Sequence, residues 1–245
     1  MNRSIPFLVA AAVLATGACQ KDSSPIKTTS SGETNVSSPA DSMAAKGKSL
    51  VRVVNAARGG DVSVQLSQMP LFNDVKPGSV TDYREIANNL ADFTVIAAGR
   101  AEGVTLAETE KLLLDGDRYS IFLVAEDVAK TSLRVVKDNV IPDSGKARLR
   151  VFNAAPGAPA FDLALLGATA PLFKDVGFKK EAGYADVTPA VVTLQLRSTG
   201  DPKVLLTIPK IDLKRGTATT LVVTGAGKLA YFTFTDALMA PTPKS

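Results

Sequence analysis

The feature that most constrains this 245-residue chain is that much of it is written twice. "VRVVNAARGGDVSVQL" (51–66) is answered by "LRVFNAAPGAPAFDLAL" (149–165), and "LFNDVKPGSVTDY" (71–83) by "LFKDVGFKKEAGY" (172–184). "LLLDGDRYSIFLVAE" (112–126) is answered by "IDLKRGTATTLVVTG" (211–225), Gly116 falling on Gly216. The offset creeps between 98 and 101 residues, as changes in loop length make it. A period of that size marks duplication of a whole domain, so any fold assigned to one copy must suit the other.

The second copy arbitrates where the first is ambiguous. Val51-Arg52-Val53 and Arg148-Leu149-Arg150-Val151 alternate apolar and charged, the period of a strand with one face buried. Tyr119–Val124 and Thr219–Thr224 are β-branched and aromatic runs. "TLAETEKLLL" (105–114) has helical spacing, yet its partner "LLTIPKIDLK" (205–214) carries Pro209 where a helix would break. "DYREIANNLADF" (82–93) answers to the shorter "GYADVTPAV" (183–191), which contains Pro189. Both segments therefore read as strand plus turn. Turn residues interrupt the chain every 8–12 positions, and about seven short strands per copy fit an immunoglobulin-like β-sandwich. The expected fold is all-β: two tandem immunoglobulin-like sandwiches, at 49–141 and 146–240, joined around Pro142-Asp143-Ser144-Gly145-Lys146.

With the turn "NAAPGAP" (153–159), the mid-domain "LF.DV…Y" and "LLDGDRYSIFLVA" (113–125), the sequence resembles the bacterial family called domain of unknown function 4397. The resemblance spans nearly all of residues 49–240; the first copy departs from the turn with Arg58-Gly59-Gly60. It implies a surface or periplasmic Ig-like module, often in tandem and often on lipoproteins. It implies no established activity and no catalytic residues.

The first 48 residues read as an address. "MNRSIPFLVAAAVLATGAC" has a basic start at Arg3, an apolar run from Ile5 to Ala15 and small residues before Cys19. That is the plan of a signal peptide over residues 1–18, with an apolar run too short to span a bilayer, which needs about 20 residues. Small-small-Cys after such a run resembles the lipobox of bacterial lipoproteins, which implies lipidation at Cys19 and membrane attachment through the lipid. Thr16 stands where that family usually has Leu, and ordinary cleavage after Ala18 is the other reading. Gln20 after the Cys, rather than Asp, implies by the same resemblance the outer membrane over the inner one. From Cys19 to Lys48 the chain is rich in Ser, Thr, Lys, Pro and Gly and reads as a disordered tether spanning about 30 Å.

Composition narrows the chemistry. There is no histidine, and Cys19 is the single cysteine, so His-based catalysis, a zinc site of the usual kind and an intramolecular disulfide are all excluded. Residues 49–141 hold ten Lys/Arg against thirteen Asp/Glu, residues 142–245 thirteen against eight, and the cations are scattered among strands. That is no nucleic-acid footprint. Asn55 and Asn153 read as Asx turns closing the first strand of each copy. Asp74 and Asp175 read as the only acids clearly repeated, each a turn or strand-end cap lying too far from a partner for glycosidic chemistry. "DGD" (115–117) answers to Arg215-Gly216-Thr217 and reads as a turn, and "TGAGK" (224–228) lacks the residues of a phosphate loop. Tyr83 with Tyr184, and Phe72 with Phe173, read as core or corner aromatics.

The expectation is a non-enzymatic envelope lipoprotein without catalytic, cofactor-binding or metal-binding residues. Its paired domains would bind or scaffold an envelope or extracellular protein or polymer. The alternative is a polysaccharide-binding or polysaccharide-active envelope protein. It requires a cleft with two facing carboxylates or an exposed coplanar aromatic pair, and with no Trp and only four Tyr there is little to build the latter from.

Overall fold

A computed structural model describes residues 46–99, 104–127 and 130–237, all of it strand, turn and loop. The signal segment, Cys19 and the tether as far as residue 45 lie outside the described residues. Among the described residues each copy contributes eight strands, one more than the turn signals suggest. The first copy runs β1 (Lys48–Asn55), β2 (Val62–Leu66), β3 (Met69–Val75), β4 (Arg84–Ala87), β5 (Leu90–Ala97), β6 (Thr105–Leu112), β7 (Arg118–Ala125) and β8 (Thr131–Lys137). The second runs β9 (Ala147–Asn153), β10 (Phe161–Leu165), β11 (Phe173–Val176), β12 (Glu181–Val187), β13 (Ala190–Ser198), β14 (Val204–Leu213), β15 (Thr217–Thr224) and β16 (Ala230–Ala237).

Each copy forms two four-stranded sheets with the same connectivity. The orders are β4-β1-β7-β8 and β3-β2-β5-β6 in the first copy, β12-β9-β15-β16 and β11-β10-β13-β14 in the second. In both, the first strand pairs parallel with the seventh, Val53 opposite Ile121 and Val151 opposite Leu221, while every other pairing is antiparallel. Val51, Val53, Val64, Phe93, Val95, Ile121 and Leu123 fill the first sandwich. Leu149, Val151, Phe161, Leu163, Leu194, Leu196 and Leu221 fill the second.

The helix-like segments are strands, as the second copy requires. Residues 105–112 form β6, and 84–87 with 90–97 form β4 and β5. Pro209 lies in β14, an edge strand, where a missing N–H costs no ladder bond. Next to it Lys210 takes a left-handed φ of 58° and the register against β13 shifts, so proline and bulge occur together.

Asp74 and Asp175 sit at matching bulges, with φ of 50° and 51°. Aspartate tolerates this left-handed region better than most residues. The backbone N–H freed at each bulge finds a side chain on the adjacent strand: Asp74 donates to Ser63 Oγ at 3.3 Å and Asp175 to Asp162 Oδ1 at 2.9 Å. The repeated acids thus shape strand ends.

The alternation of the first strands misleads on one point. A half-buried strand should present its charged face to water, yet β1, β7, β9 and β15 are buried almost throughout on both faces. Their outward residues meet one another across the junction of the two copies, where Val54, Ala56, Phe122, Val124, Phe152, Ala154 and Val222 form a third apolar cluster. The sheets containing β1 and β9 therefore pack face to face, and the two sandwiches make one stack of four sheets.

Candidate functional site

The seam between the sandwiches concentrates the ionisable groups that the fold buries. Arg52 on β1 and Arg150 on β9 are 4% and 0% exposed. The hydrophobic pattern drives their strands into the middle of the stack, so each guanidinium must find its partners there. Arg52 makes a bidentate pair with Asp236 of the second copy, at 2.7 and 2.9 Å, and donates from Nε to Ser120 Oγ at 2.9 Å. Arg150 donates from Nη1 to Asp138 Oδ1 of the first copy at 2.6 Å and from Nε to Thr220 Oγ1 at 3.2 Å. Asp138 also accepts from Tyr83 OH and Ser120 Oγ, both at 2.7 Å, and lies 3.7 Å from Arg52.

These contacts follow an approximate twofold relation. Arg52 and Arg150 are 98 positions apart, as are Asp138 and Asp236, and each Arg reaches for the acid of the other copy. Each guanidinium also lies over aromatic rings. Arg52 stands 4.4 Å from the Tyr83 centroid and 4.6 Å from Phe234; Arg150 stands 4.7 Å from Tyr184 and 5.4 Å from Phe122. Beside them Phe122 and Phe152 stack with centroids 4.0 Å apart and planes 6° apart. Val54 and Val222 occupy the equivalent places in the other half of the seam, since Val54 pairs with Phe122 and Phe152 with Val222. The likeness breaks at Tyr184. Its hydroxyl, Arg150 Nη2 and Glu181 Oε2 are buried without a hydrogen-bond partner among the described residues.

Burial and charge pull against each other here, and charge decides most of the outcome. Burial opposes ionisation of Asp138, but Arg150, Arg52 and the hydroxyl donors outweigh it and hold the carboxyl below its usual range. Burial likewise works against charged Arg52, and Asp138, Tyr83 and Asp236 more than restore it. Glu181 goes the other way. Burial, reinforced by Asp138, pushes its carboxyl up despite Arg150 nearby. Burial also raises the Tyr83 and Tyr184 hydroxyls, which stay neutral at ordinary pH.

A groove of about 540 Å³ opens along this seam, lined by Asp117, Lys137, Asn139 and Ile141 from the first copy and linker, and by Glu181 and Tyr184 from the second. A second depression of about 510 Å³ lies on the second sandwich, lined by Asp162, Lys174, Asp175, Arg197 and Asp201. Thr169 and Pro171 in its lining come from residues 166–172, which connect β10 to β11 where Ser67-Gln68 suffice in the first copy. Asp162 there accepts the N–H groups of Asp175 and Gly200, at 2.9 and 3.4 Å, and so braces the loops. Among the described residues no three His, Cys, Asp or Glu are grouped to hold a metal ion.

The other sequence candidates have defined places. Asn55 and Asn153 are fully buried, and each accepts from the N–H two residues on, Ala57 and Ala155, as an Asx turn requires. Each also donates across the sandwich to the carbonyl of Val75 or Val176, at 2.9 and 3.0 Å. Asp115 accepts from Gly47 N–H, and Asp117 N–H closes a turn onto Leu114 O, so "DGD" is a turn. Phe72 and Phe173 are core residues. The stacked aromatic pair is inside the seam, and Tyr83 and Tyr184 lie under guanidinium groups rather than on a sugar-facing surface. Asp74 and Asp175 are not the only repeated acids: Asp138 and Asp236 recur too. Their spacing, matched to that of Arg52 and Arg150, is the sequence signal of the seam.

Two copies of one eight-stranded order, opening on matching Asx turns, can be set beside known families. The profile of the family Domain of unknown function (DUF4397) matches residues 49–164. Over those residues the chain is similar to that family. The match runs through the first sandwich and into β10 of the second, a shorter span than the resemblance over 49–240. The comparison with curated proteins finds no match. Among solved structures, a candidate cell adhesion protein from Bacteroides ovatus is 10% identical at a TM-score of 0.25, covering 81% of this chain and 100% of that one. The module CBMbc (family CBM26) from Eubacterium rectale Amy13K, in complex with maltoheptaose, is 13% identical at 0.22, with 79% and 98% covered. A candidate cell adhesion protein from Bacteroides eggerthii is 8% identical at 0.22, with 80% and 97% covered. Scores of this size are too low for any of the three to bear on this chain's function.

Proposed function

We propose that this chain is a non-enzymatic lipoprotein of the cell envelope, held to the outer membrane through lipidated Cys19, whose fused sandwiches bind or scaffold another envelope or extracellular component. The observation that carries the reading is the seam. Two domains serving only as spacers need no fixed mutual angle, whereas here two guanidinium groups, two carboxylates and an aromatic stack are buried to hold one. A buried ion pair is a device for specifying geometry more than for adding stability. It makes the loops and free strand edges of both copies a single rigid surface. Edge strands β3, β6, β11 and β14 supply backbone donors and acceptors for a protein or polymer partner.

Two measurements test the proposal. Metabolic labelling with a palmitate analogue should mark the wild-type protein and not Cys19→Ser, which should leave the membrane fraction. Cross-linking in intact cells should then capture a defined partner with the wild type. Unchanged fractionation of Cys19→Ser overturns the lipid attachment, and repeated cross-linking that recovers no partner overturns the binding role.

A further inference from the structure

The chain joins the first sandwich at one end of its sheets, and that end carries exposed leucines. Gly47 N–H donates to Asp115 Oδ1 at 2.6 Å, Asn88 N–H to Gly47 O at 3.2 Å, and Gly116 N–H to Lys48 O at 2.9 Å. The incoming strand is thus clasped between the β4–β5 hairpin and the β6–β7 turn. On those same two connections stand Leu90, Leu112 and Leu114, which are 59%, 59% and 52% exposed. Leu90 lies directly opposite Leu112 across β5 and β6. Leu112 and Leu114 flank buried Leu113, so they point to one side. Ile141, 68% exposed, borders the same seam groove as Gly116. Two rungs further into the sheet from Leu90 and Leu112, past Ala91 opposite Lys111, Asp92 stands opposite Glu110, so the exposed leucines are confined to the tip. Exposed Lys46, Lys48 and Lys111 belong to the same end.

We propose that this tip rests on the lipid surface to which the chain is tethered, with Leu90, Leu112, Leu114 and Ile141 in the headgroup region. Three observations select lipid as the occupant. The described chain begins at this end, with Lys46, 27 residues after Cys19. Three lysines against Asp115, mixed with exposed leucines, suit an anionic lipid interface, and the Asp92–Glu110 rung limits how deep the tip sinks. Four side chains are far fewer than the roughly 20–30 residues per side of a standard protein interface. Val104, just before β6, and Tyr231, near the start of β16, are exposed away from the Leu90–Leu112 pair. The biological setting rests on lipidation at Cys19; the surface property does not.

The test therefore uses the mature chain, residues 19–245, carrying Cys19→Ser. It is sedimented with vesicles of phosphatidylethanolamine and phosphatidylglycerol at 3:1, at low and physiological salt. The chain is expected to partition measurably onto these vesicles and less onto pure phosphatidylcholine. Replacing Leu90, Leu112 and Leu114 together by Gln should lower the partition coefficient at least fivefold. The pair V104Q and Y231Q should leave it unchanged. All substituted side chains are exposed, and equal thermal midpoints will verify that the variants fold. No vesicle binding, or equal loss in the two variants, overturns the proposal. So does a concentration-dependent dimer that the leucine substitutions abolish, which would assign the tip to a second copy. Should palmitate labelling of the wild type fail while vesicle binding holds, the lipidation reading falls alone.

Discussion

Asp138 shows how much one residue can carry in this protein. Its carboxylate faces both buried guanidinium groups and accepts two hydroxyl donors. Asp138→Asn removes the charge but keeps the shape, leaving buried Arg150 and Arg52 short of compensation. We expect a loss of about 3–5 kcal/mol, read from urea unfolding, because breaking a buried pair from one side costs that much. A loss under about 1 kcal/mol would mean that Asp236 and Glu181 take over the role. Asp175 makes a contrasting case at the same scale. Its left-handed backbone should accept Asp175→Gly within about 0.5 kcal/mol, whereas Asp175→Val should cost about 1–2 kcal/mol, because a side chain branched at Cβ fits that region far worse than aspartate does. Equal effects of the two substitutions would show that the side chain matters more than the bulge.

At the scale of elements, the four strands β1, β7, β9 and β15 have two inner faces. One face fills a sandwich and the other the seam, so a single strand carries Val53 for its own core and Arg52 and Val54 for its neighbour. Trimming the seam face should therefore be as costly as trimming a core. Phe122→Ala, which removes a ring stacked on Phe152 and lying beside Arg150, is expected to cost about 3–5 kcal/mol in thermal or denaturant unfolding. A cost below 1 kcal/mol would mean that the sheets separate without penalty.

For the whole molecule, a seam that shares strands with both cores should couple the sandwiches. Calorimetry is expected to show one transition in the wild type, and Asp138→Asn is expected to split or broaden it. Two well-separated transitions in the wild type would show independent domains. The same seam sets the pH response. The Asp138 carboxyl is held below its usual value, so its stabilisation is present above the ordinary carboxylate range and is lost as pH falls through the native value. Glu126, bonded to Lys130 and to Lys179 of the second copy, is lowered to about 2 and weakens in the same direction, although it is only half-buried and partly screened. Glu181 has the opposite sign. Its raised carboxyl favours folding below the ordinary glutamate value and loses that contribution as pH rises. Glu181→Gln should therefore raise the thermal midpoint at pH 7, with the difference from wild type shrinking towards pH 4. A lower midpoint at pH 7 would show that the charge pairs productively with Arg150.

The duplication, the strand character of the helix-like stretches and the Asx turns were legible in the sequence, because each rests on local chemistry that two copies state twice. Period-2 alternation, a proline in one copy and an Asn two residues before an acceptor-seeking N–H require no knowledge of what lies across the molecule. The seam was not legible in that way. Arg52 and Arg150 look like solvent-facing charges on half-buried strands, since a sequence shows which face is polar but not whether another sheet covers it. That outcome depends on contacts between residues nearly two hundred positions apart, Arg52 and Asp236 among them. The fold of each copy is thus determined locally and repeated. The union of the two copies, with its buried charges, is decided only in three dimensions, where desolvation makes a buried charge seek its opposite.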